Sequence, residues 1–193
     1  MIEVGKKEGI DPRILWAIGY NETKFVPVAR SPVGALGMMQ FMPGTAARFG
    51  LSNPSDPVAS VAAAAKYVRY LNGLFPDRPD LILAAYNAGE VAVKAYLEGR
   101  TIVLKNGKVI NRNAIRTNGV PPYAETQNYV RQGILIMNQL SVPGKVIVKA
   151  METKEVEATA VAPKSVAVRA SIYLYGDGEV KPPTKGASII LYP

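Results

Sequence analysis

Apolar residues recur every three to four positions through the first part of the chain, then alternate or run together towards its end, with the change falling near "SVPGKV" at residues 141–146. A period of 3.6 marks helices packed by one face and a period of two marks strands. The pattern therefore predicts a mainly helical domain over residues 1–142 and a small β-rich module over residues 143–193, an α+β protein in all. Asp11 caps and Pro12 opens the first clear helix, whose face carries Ile14, Leu15 and Ile18. Pro27 marks or follows its end. "SPVGALGMMQFMPGTAARFG" reads as a loop through Ser31 and Gly37 followed by short helical turns, with Thr45 as a cap and Gly50 as a stop. Asp56 and Pro57 start the next helix, where Val61, Ala65, Val68 and Leu71 keep helical spacing. "PDLILAAYNAGEVAVKAYLEG" gives two helical pieces interrupted at "YNAG" and ending at Gly99. In "RTIVLKNGKVIN", Asn106-Gly107 predicts a hairpin with a two-residue turn. "PPYAETQNYVRQGILIMNQL" closes the helical part; "KVIVKAM", "KEVEATAVA", "SVAVRASIYLYG" and "KGASIILYP" read as strands.

One position breaks the logic of an apolar face. Glu22 lies four residues past Ile18 and seven past Leu15, on the stripe those residues form. A carboxyl group carried into a dry environment favours its neutral form, so its pKa rises towards the range of a general acid. The bland alternative is a glutamate in the solvated last turn of a helix.

Composition narrows the chemistry available. The chain has 193 residues and contains neither cysteine nor histidine. Thiolate sites, disulfides, Ser-His-Asp catalysis and the common zinc sites are thereby excluded, and acid/base work falls to carboxylates, tyrosines or lysines. The net charge of +8 is spread along the chain, which suits an anionic partner or a plainly solvated surface; no nucleic-acid motif accompanies it. No apolar run approaches the ~18 residues that cross a bilayer. Residues 1–13, "MIEVGKKEGIDPR", lack the apolar centre of a secretory leader, so a leader was removed or never included, or delivery takes another route.

Four stretches agree in order with the motifs of one family. Glu22-Thr23, "GMMQFMPGTA" (37–46), "AAYNAG" (84–89) and "PPYAETQNYV" (121–130) resemble those of the soluble lytic transglycosylases, which share the goose-type lysozyme fold. The resemblance covers about residues 9–140, and any one motif alone would be weak. It implies that Glu22 is the catalytic acid/base. Glycosidases ordinarily use two carboxyl groups, yet the resemblance assigns no second one a role, the nearest being Glu90, just past the third stretch, and Glu125, in the fourth. The family lets the substrate complete the reaction. By resemblance, Glu22 protonates the oxygen between MurNAc and GlcNAc, then deprotonates the MurNAc 6-hydroxyl, which attacks the anomeric carbon to leave a 1,6-anhydro end without metal or cofactor.

The resemblance also nominates substrate-binding residues, each with a structural alternative. Gln40 would hydrogen-bond the sugar, or satisfy loop backbone. Met42 would line the sugar subsite, or fill core as a flexible thioether. Ser31 stands near the glutamate in relatives, or serves a turn. The Tyr86 hydroxyl would point at Glu22, beside Asn87 of the same motif, and Tyr129 would complete the floor; core packing competes for both tyrosines. Met38 replaces the usual leucine, a near-isosteric change.

The chain departs from the family between Leu97 and Val120. Relatives pass through this interval in a few residues, whereas here a hairpin carries Lys105, Lys108, Arg112 and Arg116, either as a lid or contact for anionic peptide stems or as a tolerated surface insertion. The expected partner is the peptidoglycan glycan strand, with no nucleic acid and no membrane span, and the expected location is the bacterial periplasm or envelope, or a phage virion acting on the wall. Competing functions are a muramidase of the same fold and a non-catalytic wall-binding assembly component. The apolar ending "ASIILYP" suggests self-association or docking to an envelope or virion partner, or packing on its own chain.

Overall fold

The computed structural model describes residues 1–141, 174–176 and 179–181. Chain contacts divide it into two units, Met1–Asn138 and Gln139–Pro193. The first unit contains α1 (Ile2–Glu8), α2 (Pro12–Thr23), α3 (Pro43–Arg48), α4 (Pro57–Leu74), α5 (Pro79–Ala88), α6 (Glu90–Glu98), the strands β1 (Ile102–Val103) and β2 (Val109–Ile110), and α7, which runs Ala124–Gln139. Pro12, Pro43, Pro57 and Pro79 open four of these helices, where a missing N–H costs no hydrogen bond. Asp11 caps α2 by accepting from the Arg13 amide, and Asp56 caps α4 by accepting from Val58 and Ala59.

Leu15 and Ile18 of α2, Val68 and Leu71 of α4, and Leu81 and Leu83 of α5 are fully buried and form the centre of one core, with Met39 reaching in from the loop before α3. α2, α4 and α5 thus meet along their apolar stripes, as the periodicity predicts. The final turn of α2 then stands at the edge of the core. Lys24, at φ 53°, ends that helix, three residues before Pro27.

Three local expectations are corrected. Thr45 lies inside α3 and caps nothing; the helix begins at Pro43, whose ring presets φ, after a Met42 that makes no side-chain capping bond. α1 precedes the first expected helix; with seven residues and Gly5 alone buried, it shows no periodic stripe in the sequence. The hairpin forms with Ile102 opposite Ile110 and Val103 opposite Val109, but its loop has three residues. Leu104 donates to the Lys108 carbonyl and accepts from the Gly107 amide, and Gly107 sits at φ 81°. That is a type I turn closed by a left-handed glycine, so Asn-Gly here supplies the bulge and not a two-residue turn.

The hairpin is anchored. Ile102, Leu104 and Ile110 pack with Ala88, Ala92 and Ala95 of α5 and α6. Buried Asn111 donates to the carbonyls of Ala95 and Ile115 and accepts from the Ile115 amide. In the second unit, β3 (Leu174–Gly176) pairs antiparallel with β4 (Glu179–Lys181). This pairing does not establish the expected β-rich module: β4 was not among the expected strands, and "KVIVKAM", "KEVEATAVA", most of "SVAVRASIYLYG" and the apolar ending lie outside the described residues. Among those residues no helix is long and apolar enough to cross a membrane.

The loop from Ala29 to Phe41 is held by bridges between Arg30 and Leu36 and between Leu36 and Phe41. Gly37 sits at φ 74°, and a side chain there would overlap the carbonyl oxygen of Pro54. Gly37→Ala therefore combines backbone strain with a collision against main chain. It should cost about 2 kcal/mol or more, read as a lowered urea midpoint.

Candidate active site

Glu22 occupies the last turn of α2, next to Thr23, whose hydroxyl donates to the Met38 carbonyl and fixes the helix end to the loop. From the other side α7 closes in. The Asn21 side-chain amide donates to the Tyr129 carbonyl at 2.9 Å, and the Tyr129 hydroxyl donates to Glu22 Oε1 at 2.8 Å. Gly133, one turn further along α7, permits this approach: a Cβ there would come within 2.7 Å of Leu83 and 3.4 Å of Asn21.

Asn21, Glu22, Asn87, Glu125, Asn128, Tyr129 and Gln132 line a cavity of about 350 Å³. Burial raises the Glu22 carboxyl from its ordinary value to about 7; the Tyr129 hydrogen bond opposes that rise, and the charge of Glu125 adds to it. At neutral pH the group is therefore divided between acid and carboxylate, the condition for giving a proton and then taking one. Tyr129 is itself pushed well above a normal phenol, first by burial and then by the Glu22 charge, so it acts as a hydrogen-bond donor and not as a base.

A second cavity, of about 250 Å³, is lined by Gln40, Met42, Tyr67, Tyr86, Asn87 and Glu90 among others. Tyr67 and Tyr86 pack with ring centroids 5.1 Å apart, and Phe41 meets Tyr86 edge-on. Asn87 borders both cavities. Its Oδ1 accepts from the buried Thr126 hydroxyl at 2.7 Å and its Nδ2 donates to Glu125 at 3.2 Å. Because the Glu125 carboxylate can only accept, the amide turns its NH₂ end towards Glu125 and leaves Oδ1 to accept from Thr126.

The nominated residues divide accordingly. Glu22, Asn87 and Tyr129 meet at the first cavity, and Gln40, Met42, Tyr86 and Asn87 at the second. Tyr86 does not hydrogen-bond Glu22. Its hydroxyl donates to the Met39 carbonyl at 2.9 Å, and Tyr129, expected only to complete the floor, makes the bond to Glu22 instead. Gln40, at φ 48°, spends its amide nitrogen on the carbonyls of Gly37 and Ala29. Its carbonyl oxygen is what it can offer a ligand. Ser31 lines neither cavity; its hydroxyl accepts from the Ala35 amide, the turn role that competed for it. Met42 is 45% exposed, which rules out core packing and leaves it at the cavity wall.

Three residues were missed as site members. Glu125, given no role by the resemblance, shares the cavity with Glu22. Thr126, polar yet 2% exposed, orients Asn87. Glu90 lines the second cavity and is held by Arg48 at 2.9 Å and by Tyr67 at 3.3 Å. A polar Thr on the buried side of α7 was the available signal for Thr126; the other two depend on tertiary contact. Among the described residues no group of three or more Asp, Glu, His or Cys could hold a metal ion.

A mainly helical unit presenting one raised carboxyl group in a polar cavity defines a lysozyme-like class of site. The family model described as "Transglycosylase SLT domain" matches residues 1–106, and the chain belongs to that family. Membrane-bound lytic murein transglycosylase F of Pseudomonas fluorescens is 41% identical over 90 residues, covering 44% of this chain and 18% of that protein. The Stutzerimonas stutzeri protein of the same name is 40% identical over 93 residues, 45% of this chain and 19% of its own length. The chain thus matches about a fifth of the length of these relatives. Among solved structures, the 70-kDa soluble lytic transglycosylase of Escherichia coli superposes with a TM-score of 0.53 at 25% identity, covering 70% of this chain and 23% of that one. An inactive glutamate-to-glutamine mutant of lytic transglycosylase Slt from Pseudomonas aeruginosa gives 0.54 at 28% identity, over 72% of this chain and 22% of that one.

Removing the Thr126 hydroxyl strands the Asn87 oxygen. Thr126→Val should lower stability by about 1–2 kcal/mol, whereas Thr126→Ser keeps the donor and should recover most of that loss; chemical denaturation of the two variants side by side separates them.

Proposed function

We propose that this protein is a peptidoglycan lytic transglycosylase that cleaves the MurNAc–GlcNAc β-1,4 bond with Glu22 as its single acid/base. The observation that carries the proposal is the Glu22 carboxyl, raised to about 7 by burial and hydrogen-bonded by Tyr129 inside a polar cavity. Protonated Glu22 gives its proton to the glycosidic oxygen as the bond to the anomeric carbon breaks. The resulting carboxylate then takes the proton of the MurNAc 6-hydroxyl, whose oxygen bonds to the anomeric carbon. The product is a 1,6-anhydro end, and no water is consumed. Tyr129 stabilises the carboxylate between the two proton transfers. Gln40, through its carbonyl oxygen, and Met42, Tyr86 and Asn87 form the wall against which the neighbouring sugar rests. The catalytic unit is residues 1–142, and the site of action is the bacterial periplasm or envelope, or the wall as attacked from a virion. The Pseudomonas aeruginosa relative is inactive when one of its glutamates is exchanged for glutamine, which supports an essential glutamate in this fold. A non-catalytic wall-binding role has no use for a carboxyl held near 7.

Glu125 supports a second reading. It lies in the cavity of Glu22, where a second carboxylate is placed to activate water and so make the enzyme a muramidase. Mass spectrometry of digested sacculi decides: anhydro ends support the transglycosylase, and reducing MurNAc ends with anhydro ends absent would replace it by the hydrolase. Glu22→Gln should lower the rate of lysis by a factor on the order of 10³ or more.

The acid must be protonated in the free enzyme, so kcat/KM should fall as pH rises through about 7. Tyr129→Phe removes the bond that lowers the Glu22 pKa. Its alkaline limb should move to higher pH while the maximal rate drops roughly 10- to 100-fold, measured by turbidity loss across pH.

Stability supplies a separate check. A carboxyl whose folded pKa exceeds its unfolded value binds a proton more tightly when folded, so stability declines as pH rises from about 4.5 to about 7. Glu22→Gln removes that decline. The variant should be more stable than the parent at pH 8, by on the order of 2 kcal/mol, and close to it at pH 4.

A further inference from the structure

The hairpin carries a concentration of charge that the catalytic reading leaves unused. Residues 99–124 contain Arg100, Lys105, Lys108, Arg112 and Arg116 and not one aspartate or glutamate. Arg100 is paired with Glu98, as Arg13, Arg48, Arg69 and Arg78 are paired with carboxylates elsewhere. Lys105, Lys108 and Arg112 are exposed, and no carboxylate lies within ion-pair distance of them among the described residues.

The hairpin that carries them adjoins an element of the second cavity. Ile102, Leu104 and Ile110 of the hairpin share one apolar cluster with Ala88, Ala92 and Ala95, and Ala88 is itself part of the wall of that cavity. The strand register places Lys108 opposite Leu104 and on the same face as Ile110, because side chains alternate along each strand. The buried Asn111 and the bond from the Thr101 hydroxyl to the Asn111 carbonyl hold the base of the hairpin to α6. The hairpin that carries these uncompensated cations is therefore joined, through one apolar cluster, to the wall of a sugar-sized cavity.

We propose that Lys105, Lys108 and Arg112 form an anion-binding extension of the cavity wall that takes the carboxylates of the peptide stems attached to the glycan. The proposal rests on peptidoglycan being the substrate and adds to it a preference for peptide-bearing strands. The second cavity receives sugar, and the stems project from that sugar, which brings their carboxylates within reach of the hairpin. The ammonium and guanidinium groups on one side and the carboxylates on the other exchange solvent for each other at an exposed rim, so the contribution is salt-sensitive.

The test compares the full chain carrying Glu22→Gln, which binds without turnover, with the same chain carrying also Lys105→Gln, Lys108→Gln and Arg112→Gln. Each is titrated with soluble uncrosslinked peptidoglycan and with the same strands after an amidase has removed the stems. The triple change should weaken binding to stem-bearing strands roughly tenfold at low salt, and leave binding to bare strands unchanged. Replacing Lys105 and Lys108 by Arg should retain the parent affinity, and circular dichroism with thermal melting confirms folding of each variant. Equal affinities of the parent and triple variant for stem-bearing strands would overturn the proposal. An equal loss on bare strands would overturn it too, because the cations would then be reading something other than stems. Failure of the catalytic reading shows separately, as an absence of released muropeptides with unaltered Glu22.

Discussion

The burial of one carboxyl group at the edge of the core, held by one phenol, is the constraint around which the helical unit is arranged. Glu22 must leave water far enough for its acid form to persist at neutral pH, yet keep a hydrogen-bond donor for the carboxylate it becomes. The 2.8 Å bond from Tyr129 meets the second need and works against the first. Burial prevails, and the carboxyl stays near 7. A carboxyl in the same place without that partner would be costlier still to ionise.

Much of the scaffold maintains that compromise. Thr23 ties the end of α2 to the loop, Asn21 ties it to α7, and Gly133 allows α7 to lie close enough for both tyrosine and amide contacts. Asn87, clamped by Thr126, joins α5 to α7 and borders both cavities. The two cavities are therefore parts of one structural arrangement, with proton transfer at one and an aromatic wall at the other. The raised carboxyl also implies a stability penalty near neutral pH, a strain that a purely structural residue would give no reason to retain.

The sequence disclosed what local periodicity can disclose. Leu15, Ile18 and Glu22 share a stripe, so the unusual position of the glutamate was legible, and Asp11-Pro12 and Asp56-Pro57 announced their helices through capping chemistry. Contacts across the chain were not legible. Tyr129 lies 107 residues from Glu22, and Tyr86, the tyrosine expected to point at the carboxylate, has its hydroxyl on the Met39 carbonyl instead. Glu125 stands within the fourth motif, yet the resemblance gave it no role; only the approach of α7 brings its charge to the site. Asn106-Gly107 correctly signalled a hairpin, but the same dipeptide serves a two-residue turn and a three-residue bulged loop, and the Leu104–Lys108 pairing selects the latter. Gln40 and Ser31 illustrate the converse. Short polar residues in a Gly-rich loop serve its backbone first, and only the fold separates Gln40, which still borders a cavity, from Ser31, which does not.

Direct titration of the Glu22 carboxyl carbon by ¹³C NMR, assigned by its loss in Glu22→Gln, tests the central claim. A midpoint near 7 is the value expected of a carboxyl group desolvated beside Tyr129. A midpoint near 4.5, that of a glutamate in water, would contradict the account, because Glu22 would then hold no proton to give at neutral pH.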